Sequence, residues 1–334
     1  MLFLLRYGLP MNRCSVFGLI AFALLAFPYS SPAPLIYRPG EGWIYEKPGA
    51  EGKWQRARAQ DQLAVAEESF NKKDYGTTLK AARRTVSQWP LSDYAPRAQY
   101  LIGRSYEAKR QDDKAFKQYQ KLIEKYPKID NYQEVVDRQF QIATRFLNGQ
   151  WFKLWGYVPF FPSMDRTSQM YDKIIKNGPY GEAGPQSQLN IGRAREKQRD
   201  YVQAVKAYKT AADRYHDQPK VATEGLYKAG VAYNKEAKSS EYDQNVASEA
   251  IATFSDFATL YPDDTRVPDA QQRITALRTE QARGSYEIAR FYEKGRRWKG
   301  ALIYYNEVLI KDPNSKYAAL AREKIDAIKK RTKE

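Results

Sequence analysis

The chain has 334 residues, 43% of them hydrophobic and 28% charged, a balance that supports a buried core and excludes a disordered polyelectrolyte. One cysteine, Cys14, and one histidine, His216, exclude intrachain disulfides, zinc sites built from His and Cys, and nearly every triad that needs an imidazole. The net charge of +16 attracts anionic partners. The Lys and Arg residues are nevertheless spread along the chain, and the densest run, Lys329, Lys330, Arg331 and Lys333, lies at its end, which is the pattern of a solvated surface and not of a nucleic-acid site.

Arg13 precedes an apolar run from Val16 to Phe27, followed by Pro28 and the small residues Ser30, Ser31 and Ala33. A basic start, a short apolar core and a small-residue exit predict an export signal over residues 1–33, with Met11 as an alternative start. The run falls short of the ~20 residues that cross a bilayer as a helix. Ser31-Pro32-Ala33 has the spacing of a cleavage site, but Pro34 disfavours cleavage, so an uncleaved anchor stays open. Cys14 lies before the apolar core, whereas a lipid-anchor cysteine would follow it. From 34 to 56 the chain holds Tyr37, Pro39, Gly40, Gly42, Trp43, Tyr45, Pro48 and Gly49 and no helical period. This predicts an extended segment, either a flexible leader or one laid on a partner or on the protein's own surface.

From residue 57 to 334 a repeat governs the sequence. Gly103, Tyr106, Ala115, Tyr119 and Pro127 are spaced by 3, 9, 4 and 8 residues, and the same frame returns as Ala289, Tyr292, Ala301, Tyr305 and Pro313. Gly/Ala, Tyr, Ala, Phe/Tyr and Pro at these offsets are the signature of the tetratricopeptide repeat, two packed helices of about 34 residues. Weaker copies are keyed by Ala66 with Pro90, Ala143 with Pro179, Gly192, and Gly230 with Pro262. The predicted fold is all-α, a tetratricopeptide-type solenoid of helical pairs with about six repeats and an extended N-terminal segment. Small residues at Gly103 or Ala289 let helix A approach helix B at Ala115 or Ala301, Tyr106 and Tyr119 fill the space beside them, and Pro127 and Pro313 stop helix B. His216, in the helix-end stretch Arg214-Tyr215-His216-Asp217, reads as a plain surface residue.

Two copies carry insertions. Gly230 and Ala250 stand 20 apart where the frame expects 12, and the polar Lys238-Ser239-Ser240-Glu241 predicts a longer loop. Ala143 and Thr167 stand 24 apart, and the insertion at 148–165 holds Trp151, Phe152, Trp155, Tyr157, Phe160 and Phe161. A loop so apolar is buried against something. It either folds back to plug the solenoid or serves as a docking element for a partner or membrane surface.

Helix A lines the groove of such a solenoid. Its groove positions give Tyr100, Arg104 and Glu107 in the second copy, Leu189, Arg193 and Glu196 in the fourth, Tyr227 in the fifth, and Tyr286, Arg290 and Glu293 in the sixth. The recurrent Arg and Glu, three residues apart, predict ion pairs worth about 0.2–0.5 kcal/mol each. The alternative is an Arg and aromatic ladder that binds an extended peptide through Tyr100, Arg104, Arg193, Tyr227, Tyr286 and Arg290. No phosphate loop, dinucleotide fingerprint or metal-ligand spacing occurs. The carboxylate pairs Glu67-Glu68 and Asp112-Asp113 read as solvated, so no catalytic residue, cofactor or metal is expected.

Phe70-Asn71-Lys72-Lys73-Asp74-Tyr75, then Trp89-Pro90-Leu91-Ser92-Asp93-Tyr94 and Ala98 through Tyr106, resemble the opening repeats of BamD-type outer-membrane assembly proteins. Lys128-Ile129-Asp130-Asn131-Tyr132 resembles that family's inter-repeat join. Tyr286 to Pro313, followed by Asn314-Ser315-Lys316-Tyr317 and a last amphipathic helix, resembles its C-terminal end. The resemblance runs from about Gln60 to Ile328 on largely generic repeat motifs. It implies a non-enzymatic periplasmic scaffold at the outer membrane that binds the barrel insertase and unfolded β-barrel clients. The basic surface itself suits peripheral contact with an anionic membrane, and the export signal and the even spread of Lys and Arg argue against nucleic acid. The chain departs from the family in having no lipidated cysteine directly after the signal. Tyr261-Pro262-Asp263-Asp264 leaves open a relative of the periplasmic Tol–Pal coordinator, acting in cell division or at peptidoglycan.

Overall fold

The computed structural model describes residues 35–45, 52–154, 158–239 and 244–332. Residues 1–33, read above as an export signal, and Cys14 within them lie outside the described residues. The described chain opens with an antiparallel hairpin, β1 (Leu35–Arg38) and β2 (Gly42–Tyr45), in the register Leu35↔Tyr45 and Tyr37↔Trp43. Six helix pairs follow: α1 (Ala59–Asn71) with α2 (Tyr75–Gln88), α3 (Ala95–Ala108) with α4 (Asp112–Lys125), and α5 (Tyr132–Leu147) with α6 (Met164–Asn177). Then come α7 (Ala183–Lys197) with α8 (Tyr201–Arg214), α9 (Pro219–Ser239) with α10 (Gln244–Leu260), α11 (Val267–Lys294) with α12 (Trp298–Lys311), and the closing α13 (Lys316–Thr332). A second hairpin, β3 (Phe152–Leu154) and β4 (Val158–Phe161), interrupts the third pair. The all-α tetratricopeptide reading therefore holds. By contacts the chain divides into two compact units, 1–98 and 99–334.

The turn inside each pair follows from chain geometry. After α1 the amide of Lys73 donates to Phe70 O and that of Asp74 to Ser69 O, which satisfies two carbonyls left open at the helix end. The same double bond recurs at Arg110 and Gln111, at Gly149 and Gln150, at Arg199 and Asp200, and at Arg296 and Arg297. The motif needs a left-handed residue. Gly149 has φ +102°, but Lys73, Arg110, Arg199 and Arg296 take φ of 53–60° with a full side chain. Their positive charge suits a helix C-terminus, while their Cβ opposes the backbone. Arg199→Gly is therefore expected to raise stability by about 0.5–1 kcal/mol, read as a higher urea midpoint at unchanged slope. Asp74 and Asp200 then cap the next helix by accepting from the amides of Thr77 at 3.1 Å and Gln203 at 3.2 Å. Helix B stops two residues before proline in five pairs, at Gln88, Lys125, Asn177, Leu260 and Lys311, because the residue preceding proline is kept out of the helical region.

The close approach within a pair differs in detail from expectation. The group that fills the space at Gly103 is the ring of Tyr119: a Cβ there would lie 2.4 Å from Tyr119 Cε1. Gly192 meets Tyr208 at 2.4 Å and Gly230 meets Phe254 at 2.7 Å in the same way. The small residue thus accommodates the aromatic of helix B, which is fully buried each time, more than it accommodates Ala115.

Three further expectations are corrected. Lys238 and Ser239, read as loop, continue α9, and the burial of Ala237 against α10 accounts for the longer helix; 240–243 lie outside the described residues. The 148–165 insertion is a β-hairpin and not an irregular loop. The sixth pair has no separate helix A: α11 is one 28-residue helix. Its first half places Ala270 and Leu277 in a core with Phe254 and Phe257. Its second half places Ala282, Tyr286 and Ala289 in a core with Tyr305 and Ile325.

Candidate protein-interaction site

Glu107, Glu196 and Glu293 do not serve as simple i,i+3 partners of the preceding arginine. Each accepts the phenol of the helix-B tyrosine 12 residues on: Tyr119 Oη to Glu107 at 2.8 Å, Tyr208 Oη to Glu196 at 2.5 Å, and Tyr305 Oη to Glu293 at 2.5 Å. Each also meets a cation on the helix that begins the next pair or closes the array. Glu107 holds Arg138 at 3.4 Å and Arg145 at 3.2 Å, Glu196 holds Lys235 at 2.9 Å, and Glu293 holds Lys324 at 3.0 Å. Arg193 turns instead to Asn190 and Glu224, and Arg290 turns back to Glu287. The glutamate thus ties its own pair to the next. The signal was present in the sequence as Glu and Tyr 12 apart in three copies. Where helix B has Phe254, residue 234 is Asn.

Burial, reinforced by the carboxylate beside each phenol, pushes Tyr119, Tyr208 and Tyr305 well above the ordinary range, and burial pushes Tyr171 up to about 12. Burial alone would also raise Glu293, but hydrogen bonds from Tyr305 and Lys324 hold it below the usual carboxylate range. A phenol whose folded value is raised contributes stability that is fully present below about pH 10 and is lost as pH climbs toward the folded value. Alkaline titration is expected to leave these four tyrosines un-ionised until the chain unfolds. The check is the 295 nm phenolate signal followed beside the urea midpoint from pH 9 to 12. Four phenols ionising near pH 10 in the folded chain would contradict it.

The groove candidates fall into different environments. Tyr100 donates to Glu134 at 2.5 Å and accepts from Arg104 at 3.1 Å and Arg138 at 3.0 Å, so it knits α3 to α5. Tyr227 donates to Asp269 at 2.5 Å, under the Arg266 guanidinium at 4.8 Å. Tyr286, only 8% exposed, packs on Tyr305 and Tyr317 and is a core residue, not part of an open surface. Arg193 and Arg290 remain exposed. His216 is exposed, with Nδ1 3.0 Å from Asp213 O.

The second hairpin leads to an open cleft. Phe152, 1% exposed, stacks on Phe146 with ring centroids 4.1 Å apart, and the Arg166 guanidinium covers its ring at 4.1 Å. Trp151, its neighbour, is 51% exposed. Strand alternation sends adjacent side chains to opposite faces, so one aromatic anchors the hairpin while the other faces solvent. Trp155 and Tyr157 lie outside the described residues, as do the side chains of Phe160 and Phe161. Trp151 borders a cleft of about 860 Å³ lined also by Glu107, Arg110, Asp112, Arg145, Gln150 and Lys153. Asp112, read as solvated, is 6% exposed and binds Arg145 at 3.0 Å and Gln150 at 2.7 Å. Its burial depends on the α5–β3 connection folding over the start of α4, a tertiary event without local signature. Such a cleft offers an aromatic face beside fixed guanidinium and carboxylate groups, which suits a peptide with apolar and charged side chains. Among the described residues no group of three or more His, Cys, Asp or Glu could hold a metal, and no helix is long and apolar enough to cross a membrane.

A tetratricopeptide-repeat model matches residues 97–128. No curated protein matches the chain in sequence. Among solved structures, the crystal structure of BtubC (BKLC) from P. vanneervenii is similar at 12% identity and TM-score 0.33, covering 77% of this chain and 91% of that one. A tetratricopeptide repeat protein from Parabacteroides merdae ATCC 43184 is similar at 9% identity and TM-score 0.32, covering 81% and 98%. The apo form of RapI is similar at 15% identity and TM-score 0.34, covering 80% and 76%. The model of the YfiO family, outer membrane lipoproteins, matches residues 163–331. That span is just over half of the sequence, and the chain belongs to the YfiO family of outer membrane lipoproteins.

Proposed function

We propose that this protein is a non-enzymatic, exported scaffold of outer-membrane assembly. In this reading it holds the barrel insertase and unfolded β-barrel proteins on its helix pairs in the periplasm, as BamD-type proteins do. The observation that carries the reading beyond family membership is the cleft beside Trp151. There a half-exposed indole stands next to Arg145, fixed by both Asp112 and Glu107, the combination of aromatic and guanidinium groups that dominates binding energy at protein interfaces.

The test uses the full chain, tagged at its C-terminus and recovered from detergent-solubilised envelopes of the source cell. Recovery of a large outer-membrane β-barrel protein with N-terminal periplasmic domains is the expected result. Trp151→Ala should weaken that capture about ten-fold with no change in the chain's own unfolding midpoint. Recovery of division or peptidoglycan-linked proteins without any insertase would overturn the reading.

A further inference from the structure

The first hairpin is fixed in place but presents an apolar aromatic outer face. At its turn Glu41, 5% exposed, accepts the amides of Ala59 at 3.0 Å and Gln60 at 3.5 Å, so a buried carboxylate from the hairpin caps the start of α1. Gly40, held at φ +77°, accepts the amide of Asp93 at 2.8 Å through its carbonyl. The hairpin is therefore part of the 1–98 unit and no loose leader. On its other face Leu35, Tyr37 and Trp43 are 50%, 58% and 68% exposed. Tyr37 and Trp43 are register partners, with ring centroids 5.4 Å apart. Cross-strand partners share a face, so these side chains form one patch.

We infer that the Leu35, Tyr37 and Trp43 face of this hairpin is seated in the headgroup layer of a lipid bilayer. Tyr and Trp have apolar rings with a polar tip, which places them at the boundary of lipid and water. The inference takes the uncleaved alternative, in which the apolar run is kept as an anchor and brings this face to a membrane. The apolar run Val16–Phe27 ends seven residues before the described chain begins at Leu35. At no more than about 3.6 Å per residue, the connection from Phe27 to Leu35 reaches less than about 30 Å. A hairpin so close to an apolar segment, and locked to α1 through Glu41, would set the orientation of the 1–98 unit at the bilayer surface. The inference rests on the envelope placement proposed above, but not on which protein the helix pairs bind.

Trp43 reports its own position. The full chain is reconstituted in vesicles of phosphatidylethanolamine and phosphatidylglycerol, with acyl chains either plain or brominated near the headgroup. The Trp43 signal is taken as the difference between the wild type and Trp43→Phe, a variant that keeps an aromatic ring in the hairpin. Brominated lipid is expected to lower that signal about two-fold or more, with matching protection from aqueous iodide. In the Trp43→Phe background, Leu35→Trp moves the reporter along the same face and should be quenched to a similar degree. Equal signals in plain and brominated vesicles, with full access to iodide, would overturn the inference and leave the face to a protein partner. That outcome in a chain that still captures the insertase removes the membrane seat alone. Quenching in a chain that captures no insertase keeps the seat and removes the assembly reading.

Discussion

Gly192→Leu is expected to lower stability by about 3 kcal/mol, near the top of the range for overpacking a filled core. Even the first carbon of a side chain at this position would lie 2.4 Å from Tyr208 Cε1 and 2.7 Å from Cζ. The ring has no room to retreat. Tyr208 is fully buried in a cluster with Leu189, Ala204, Ala211 and Ala229, and its hydroxyl is held by Glu196 at 2.5 Å. Urea unfolding monitored by circular dichroism checks the result as a lower midpoint at unchanged slope. Tyr208→Ala alone should also cost about 3–5 kcal/mol through the cavity it leaves. The two changes in one chain should cost less than their sum, because the second removes the group that the first strikes. Strict additivity would mean that the glycine is not required by the ring. The sixth pair has the milder form of the contact, with Ala289 beside Tyr305.

The second large effect concerns the insertion. Phe152→Ala is expected to cost about 3 kcal/mol, as buried phenylalanine truncations do, and to release the β3–β4 hairpin from α5 and α6. It removes a ring stacked on Phe146 with a 6° interplanar angle and covered by Arg166. Trp151→Ala, next to it, should change stability by less than about 0.5 kcal/mol, in line with exposed positions, while weakening partner capture. Hydrogen exchange of the 152–161 amides separates the cases: fast exchange in Phe152→Ala and unchanged exchange in Trp151→Ala. If the two substitutions proved equally destabilising, Trp151 would be a core residue and the cleft would lose its exposed anchor. Of the plugging and docking opposed in the sequence reading, plugging falls to Phe152, while Trp151 is left exposed for the docking proposed above.

The helix pairs were legible because their determinants are local. The small residue, the aromatic and the terminating proline act within one pair of about 34 residues, so their spacing appears directly in the sequence. The generic frame came from the same kind of short-range pattern. The partners of the helix-A glutamates were not read this way. Glu107 meets Tyr119 within its own pair, but Arg138 and Arg145 are delivered by the following helix, 31 and 38 residues away. Likewise the sequence marked Tyr100, Tyr227 and Tyr286 as equivalent, and only the packing of neighbouring helices separated the network residues Tyr100 and Tyr227 from the buried Tyr286. The aromatic richness of 148–165 said that burial was needed but not which ring would supply it. That depends on strand alternation meeting the surface of α5, which puts Phe152 inside and Trp151 outside. By itself the sequence determined the repeat and the proline-terminated ends of its second helices, since each is a matter of sterics between near neighbours. The tertiary structure alone decided which polar side chains are tied and which aromatic stands free, because burial and charge pairing are set by what the next helix pair brings alongside.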